Sequence, residues 1–183
     1  MLTYFAILAL LIAIPAVAGS LIRASKGISL RVPQGLARLF CKIERLDGSE
    51  LIALALTVDL SRVTIDKQPA VLGTYVLRIQ FDSRHVTYRG TGAAGDAYFF
   101  STPLATDAGV ANERGMVRIA AVQTNQSAPL GVVNVARAVF VEKQYGGIEA
   151  VRVSIESVTS ALEINEQGGF RKKIPIHFEG ESQ

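Results

Sequence analysis

From Thr74 to Asp82 the chain alternates strictly. Tyr75, Leu77, Ile79 and Phe81 point one way, and Val76, Arg78, Gln80 and Asp82 the other. Period two marks a strand with one buried face. Asp82-Ser83-Arg84 then predicts a turn into a second strand, His85-Val86-Thr87-Tyr88-Arg89, and so a hairpin. Further runs read the same way: 27–32, with Ile28, Leu30 and Val32 on one face; 116–123; 132–143; and 150–156, with Val151, Val153 and Ile155 together. Ile174, Ile176 and Phe178 alternate near the end, where Pro175 marks an edge strand or a strand start.

The separators agree with this reading. Asp47-Gly48, Gly146-Gly147 and Gly168-Gly169 are turn dipeptides, because glycine tolerates positive φ. Leu36, Leu39, Phe40 and Ile43 fit a helical face, yet Leu39, Cys41 and Ile43 also alternate. With Asp47-Gly48 leading into the apolar run 51–58, the hairpin is the better reading. The pattern lapses over 101–115, which predicts a long loop with one helical turn at most. Many short strands without regularly alternating helices predict a mainly β chain folded as one antiparallel β-sandwich or jelly roll.

One stretch breaks this pattern. Leu2 to Ile22 is an uncharged, mostly apolar run of 21 residues carrying Leu2, Phe5, Leu8, Leu11, Pro15 and Ile22. As a helix it would reach about 30 Å, the thickness of a hydrocarbon core. It has no Lys or Arg before it, whereas Arg23, Lys26, Arg31 and Arg38 follow. That asymmetry favours a single-pass transmembrane anchor with the β-domain on the cytoplasmic side. Ala16-Val17-Ala18 before Gly19 has the small-x-small form of a cleavage site, so an export signal is the alternative. The chain divides accordingly into a membrane segment with its basic flank, 1–26, and a β-rich domain, 27–183. The roughly 160 residues after the segment suit one domain.

Composition narrows the partners. Net charge is +3, with no concentrated basic face, so nucleic acid is not an expected partner. Arg171-Lys172-Lys173 is the one dense basic cluster and reads as a solvated hairpin end. Cys41 is the only cysteine, so no intrachain disulfide can form, and its apolar surroundings predict a small core residue.

The search for chemistry yields little. Gly90-Thr91-Gly92-Ala93-Ala94-Gly95 matches G-x-G-x-x-G, but the aromatic run and Pro103 that follow are poor helix, so it reads as a loop between strands. His85 and His177, the only histidines, read as outward strand residues and are too few for a zinc site. Glu142, Glu149, Glu156 and Glu163 fall seven apart, but Gly146-Gly147 argues against a helical stripe. Asn125-Gln126-Ser127 is a glycosylation sequon. No nucleophile, base and orienting group can be paired, and no catalytic residue, metal or cofactor is expected.

Tyr98-Phe99-Phe100 concentrates aromatics. On a strand they could not all enter one core, which makes them a candidate interaction patch. The sequence thus predicts a non-catalytic β-domain held at a lipid bilayer, joining other protein subunits in a homo- or hetero-oligomer. The alternatives are a structural subunit of an extracellular assembly, such as a surface filament or a membrane-containing virion, or an exported protein with a cleaved signal peptide.

Overall fold

The alternating runs become strands of two antiparallel sheets that share one interior. The computed structural model describes residues 33–45, 50–123, 129–161 and 173–179. In chain order the strands are β1 (Arg38–Arg45), β2 (Leu51–Asp59), β3 (Thr64–Ile65), β4 (Gln68–Pro69), β5 (Leu72–Gln80) and β6 (Val86–Ala93). There follow β7 (Leu104–Ala105), β8 (Met116–Val122), β9 (Val132–Glu142), β10 (Arg152–Ala161) and β11 (Lys173–Pro175). One sheet runs β1-β2-β9-β6 and the other β11-β10-β5-β8-β7, while β3 and β4 form a small ribbon. Inward residues of both sheets form one core cluster, including Leu54, Leu56, Tyr75, Leu77, Ile119 and Phe140. Phe140 is the aromatic hub, with Phe81 and Tyr88 at centroid distances of 5.3 and 5.5 Å.

The hairpin reading of 36–58 holds, with β1 antiparallel to β2 from Arg38↔Asp59 to Arg45↔Ile52. The expected hairpin across Asp82–Arg84 does not form. β5 and β6 lie in different sheets, and the turn carries the chain across the sandwich. The Asp82 carbonyl accepts from the His85 and Val86 N–H groups, a closed turn that is compatible with either outcome, and packing of the interior places β6 in the other sheet. Gly146-Gly147 is likewise a crossing, from β9 to β10 through a 3₁₀ turn at Gly147–Ala150. A Cβ on Gly147 would stand 3.0 Å from the His85 carbonyl oxygen, so glycine permits this close approach.

The stretch 101–115 is more ordered than its pattern suggested. It contains β7 and a short helix, α1 (Ala108–Arg114). Asp107 caps α1, its side chain accepting from the Gly109 and Val110 N–H groups at 2.8 and 3.3 Å. Gly115 ends it in the left-handed region at φ 63°, where a Cβ would fall 2.5 Å from the Phe81 carbonyl oxygen. Asn112 extends from α1 to the β6 edge, accepting from the Tyr88 N–H at 2.8 Å and donating to the Tyr88 carbonyl at 2.9 Å. A side chain there takes the place of a further strand, beside the bulge between Tyr88 and Gly90.

Gly90 and Gly92, expected in a loop, belong to β6. The segment 2–22, the strand expected at 27–32 and the sequon at 125–127 lie outside the described residues. So do Asp47-Gly48, Gly168-Gly169, Glu163 and most of the basic cluster 171–173. Among the described residues, no helix is long and apolar enough to cross a membrane.

One bond joins the two sheets through the core. The β2–β9 register shifts so that Val135 has no residue opposite it, and the buried Tyr75 of β5 donates its hydroxyl to the Val135 carbonyl at 2.8 Å. Burial also pushes the Tyr75 phenol well above its ordinary pKa, so it stays a donor. Tyr75→Phe leaves that carbonyl unpaired and should cost about 1–3 kcal/mol, read as a lower urea midpoint at unchanged slope.

Candidate interaction surface

The five-stranded sheet turns one face to the core and the other outward. On β5 the outward residues are Thr74, Val76, Arg78 and Gln80; on β8 they are Met116, Arg118, Ala120 and Val122. Register sets them in rows: Thr159–Thr74–Val122, then Ser157–Val76–Ala120–Leu104, then Ser154–Arg78–Arg118. The middle of this face is aliphatic, and at its margin Leu104 is 76% and Val122 45% exposed. Isolated apolar residues on a surface need no explanation, but a continuous row beside fixed charges is the kind of patch partners use.

The charges are fixed by a bulge. Arg78 and Arg118 face each other directly across β5 and β8, a destabilising like-charge pair on its own. The register of β10 shifts between Ile155 and Ser157, which leaves Glu156 opposite no residue. Its carboxylate spans both arginines: Oε1 accepts from Arg78 Nε, and Oε2 from Arg118 Nε at 2.6 Å. Burial alone would raise the Glu156 pKa, but the bonds from Arg118 and Arg78 outweigh it and hold the carboxyl below its ordinary range. With both oxygens committed, Glu156 suits fixing the guanidinium planes rather than moving protons.

The other candidate residues disperse. Ala97–Phe99 form a 3₁₀ turn instead of the expected strand, so successive side chains diverge. Tyr98 is 78% exposed, Phe99 is partly buried against the core, and Phe100 is 7% exposed, edge-on to Tyr75 at 5.5 Å. Of the three, only Tyr98 is open to a partner. His85 sits in the Asp82 turn, and the His177 carbonyl accepts from the Ala37 N–H at 2.8 Å. Among the described residues, no three His, Cys, Asp or Glu side chains are grouped to hold a metal.

Cys41 departs from its expected core position and is exposed. Alternation does aim it inward, opposite the buried Leu56, but β1 is an edge strand and the interior is open there. Partial enclosure by the surrounding walls raises the thiol pKa, which makes it less reactive than a free cysteine.

No protein-family model matches the chain, and no curated protein matches it by sequence. Solved structures match it by fold. A cohesin module from a family 33 glycoside hydrolase of Clostridium perfringens gives a TM-score of 0.50 at 11% identity, covering 80% of this chain and 100% of that module. The seventh ScaB type I cohesin of Pseudobacteroides cellulosolvens gives 0.47 at 10% identity, covering 78% and 87%. A type I cohesin from a cohesin–dockerin complex of Clostridium thermocellum gives 0.45 at 9% identity, covering 79% and 94%. The chain has a cohesin-like β-sandwich fold.

The Glu156 clasp has a pH signature. A carboxyl whose pKa is lower folded than unfolded adds stability above the unfolded value, and that stability is lost as pH falls through the folded one. Wild type should therefore exceed Glu156→Gln in unfolding free energy at neutral pH, with the two converging on acidification. Parallel curves of stability against pH would exclude the clasp.

Proposed function

We propose that this chain is a non-catalytic protein-binding module of an exported assembly, taking its partner on the outer face of the five-stranded sheet. The observation that carries this reading is the row Val76–Ala120–Leu104 beside the Arg78–Glu156–Arg118 clasp. Flat aliphatic area supplies the area-dependent attraction. Guanidinium groups held in place set orientation without the cost of ordering mobile side chains. The matching partner element presents small aliphatic side chains with a carboxylate at its rim. The likeness in fold to a cohesin module agrees with this reading, and the residues above supply its chemistry. Binding needs no cofactor, and Tyr98 is at most a peripheral contact.

The segment 2–22 then delivers or holds the module. In the exported reading, Ala16-Val17-Ala18 is the cleavage site and the domain acts outside the membrane. A second reading is favoured by Arg23, Lys26 and Arg31: the segment carrying Leu2, Phe5, Leu8, Leu11, Pro15 and Ile22 is retained as an anchor in the bilayer. The intact mass of protein from its native source separates the two. A terminus at Gly19 establishes export with cleavage, and a chain retaining 1–22 establishes the anchor.

Leu104→Asp with Val122→Asp alters two exposed side chains and should leave the unfolding transition within about 0.5 kcal/mol of wild type. Affinity for partners captured by wild type should fall at least about tenfold, equivalent to about 1.4 kcal/mol. Unchanged titrations with a folded variant would remove this face from consideration.

A further inference from the structure

The two margins of the sandwich are closed differently. At the β6 and β7 margin, α1 and the 3₁₀ turn Ala97–Phe99 bridge the sheets, and Asn112 pairs with the Tyr88 backbone. At the opposite margin β1 faces β10, and closure is partial. Residues 173–179 fill only one end: β11 pairs with Thr159–Ala161, and the chain continues so that Ala37 pairs with His177 and Glu179. Ile174 and Ile176 alternate into the core at 7% and 3% exposure.

Beyond that plug, no described residue covers the margin. Among the described residues, β1 from Phe40 to Arg45 has a partner only in β2, and β10 from Arg152 to Ile155 only in β5. Between them lies a cleft of about 220 Å³ walled by the aliphatic side chains of Ile43, Leu54, Ile148, Val151 and Val153 together with Cys41 and Glu149. Ile43 is 43% exposed although it faces the interior. An unbulged edge of this length with apolar residues beside it is a template for strand addition.

We propose that this cleft receives residues 27–32 of a second copy of the chain, which add a strand at the β1 edge and link copies head to tail. This rests on the assembly reading above but uses a different surface. The occupant is argued from the plug already present. Ile174-x-Ile176-x-Phe178 closes one end of the margin, and Ile28-x-Leu30-x-Val32 repeats that spacing and chemistry, with Ser29 and Arg31 on the alternate face. Six extended residues reach about 20 Å, comparable with the free length of β1. The donor is a second copy because, on its own chain, Pro33 leads at once into Gln34 paired with Thr64. The adjacent edge at Ala37 is already held by residues 177–179. Residues 27–32 follow Gly19, so they are present whether or not the first segment is removed.

Cys41, the sole cysteine, lines the cleft and makes the test direct. In the full-length chain, Ile28→Cys and Leu30→Cys place a second thiol on the inserting face, and Ser29→Cys places one on the opposite face. On mild oxidation, at least one inward variant should give a non-reducing ladder extending beyond dimer, abolished by Cys41→Ser. The Ser29→Cys chain should give none. A ladder needs two intermolecular disulfides per chain, so peptide mapping of its bands completes the test: links from position 28 or 30 to Cys41 mark head-to-tail pairing, and like-to-like links overturn the proposal. A fast-migrating monomer with an internal disulfide would place the segment on its own chain and overturn the proposal, as would dimers alone or no crosslink from either inward variant. Leu104→Asp with Val122→Asp should leave the ladder intact. Failure of strand exchange is therefore read separately from failure of the binding face.

Discussion

A single hydroxyl, that of Tyr75, reaches through the interior to the one carbonyl that the β2–β9 ladder leaves out, at Val135. Buried backbone groups away from water need partners, and a bulge inside a sandwich creates one that the ladder cannot serve. Apolar packing draws the two sheets together without fixing how they are aligned. The Tyr75 bond adds direction, because it can form only with β5 centred over the bulge of β9. Thr74, Val76 and Arg78 alternate with Tyr75 on the same strand, so fixing Tyr75 inward turns them to the outer face, where register with β8 and β10 sets the rows.

The other irregularities serve the same end. The β6 bulge leaves the Tyr88 backbone to Asn112, which ties α1 to the sheet edge. The β10 bulge places Glu156 between two arginines that would otherwise repel. Similar clasps occur elsewhere, with Glu44 taking Arg137 and Lys42, and Glu142 taking Arg45 at 2.7 Å. Exposed ion pairs of this kind contribute little to stability. Their effect is to hold long cationic side chains in one orientation, a condition for selective binding, while the core carries the fold.

The two proposed surfaces differ in kind. An outer sheet face with a firm aliphatic centre suits a structured partner, whereas a half-closed margin with a free strand edge suits an extended segment. The two proposed surfaces do not overlap, because the face lies on β5, β8 and β7 and the margin on β1 and β10. Glu44, Glu142 and Glu156 are each committed to at least one arginine.

The alternation of 74–82, 116–123 and 132–143 made β5, β8 and β9 legible from the sequence, because a half-buried strand must repeat every two residues whatever its neighbours. The β1–β2 hairpin was legible too, since its flanks and turn residues are local. Which sheet each strand joins was not. Asp82–Arg84 looks the same whether the chain reverses or crosses, and only packing of the whole interior decides. Asp107 and Gly115 were the available signals for α1, too short a helix for periodicity to show. Cys41 aims inward as its pattern says, yet it is exposed because edge position is a property of the assembled sheet. Tyr98, Phe99 and Phe100 were separated by a 3₁₀ turn that alternation could not anticipate. Neither the meeting of Arg78, Arg118 and Glu156 nor the open cleft leaves any mark in local sequence. Strand character depends on neighbours two residues apart, whereas register, bulges and margins depend on residues far apart in the chain, and those the tertiary structure alone brings together.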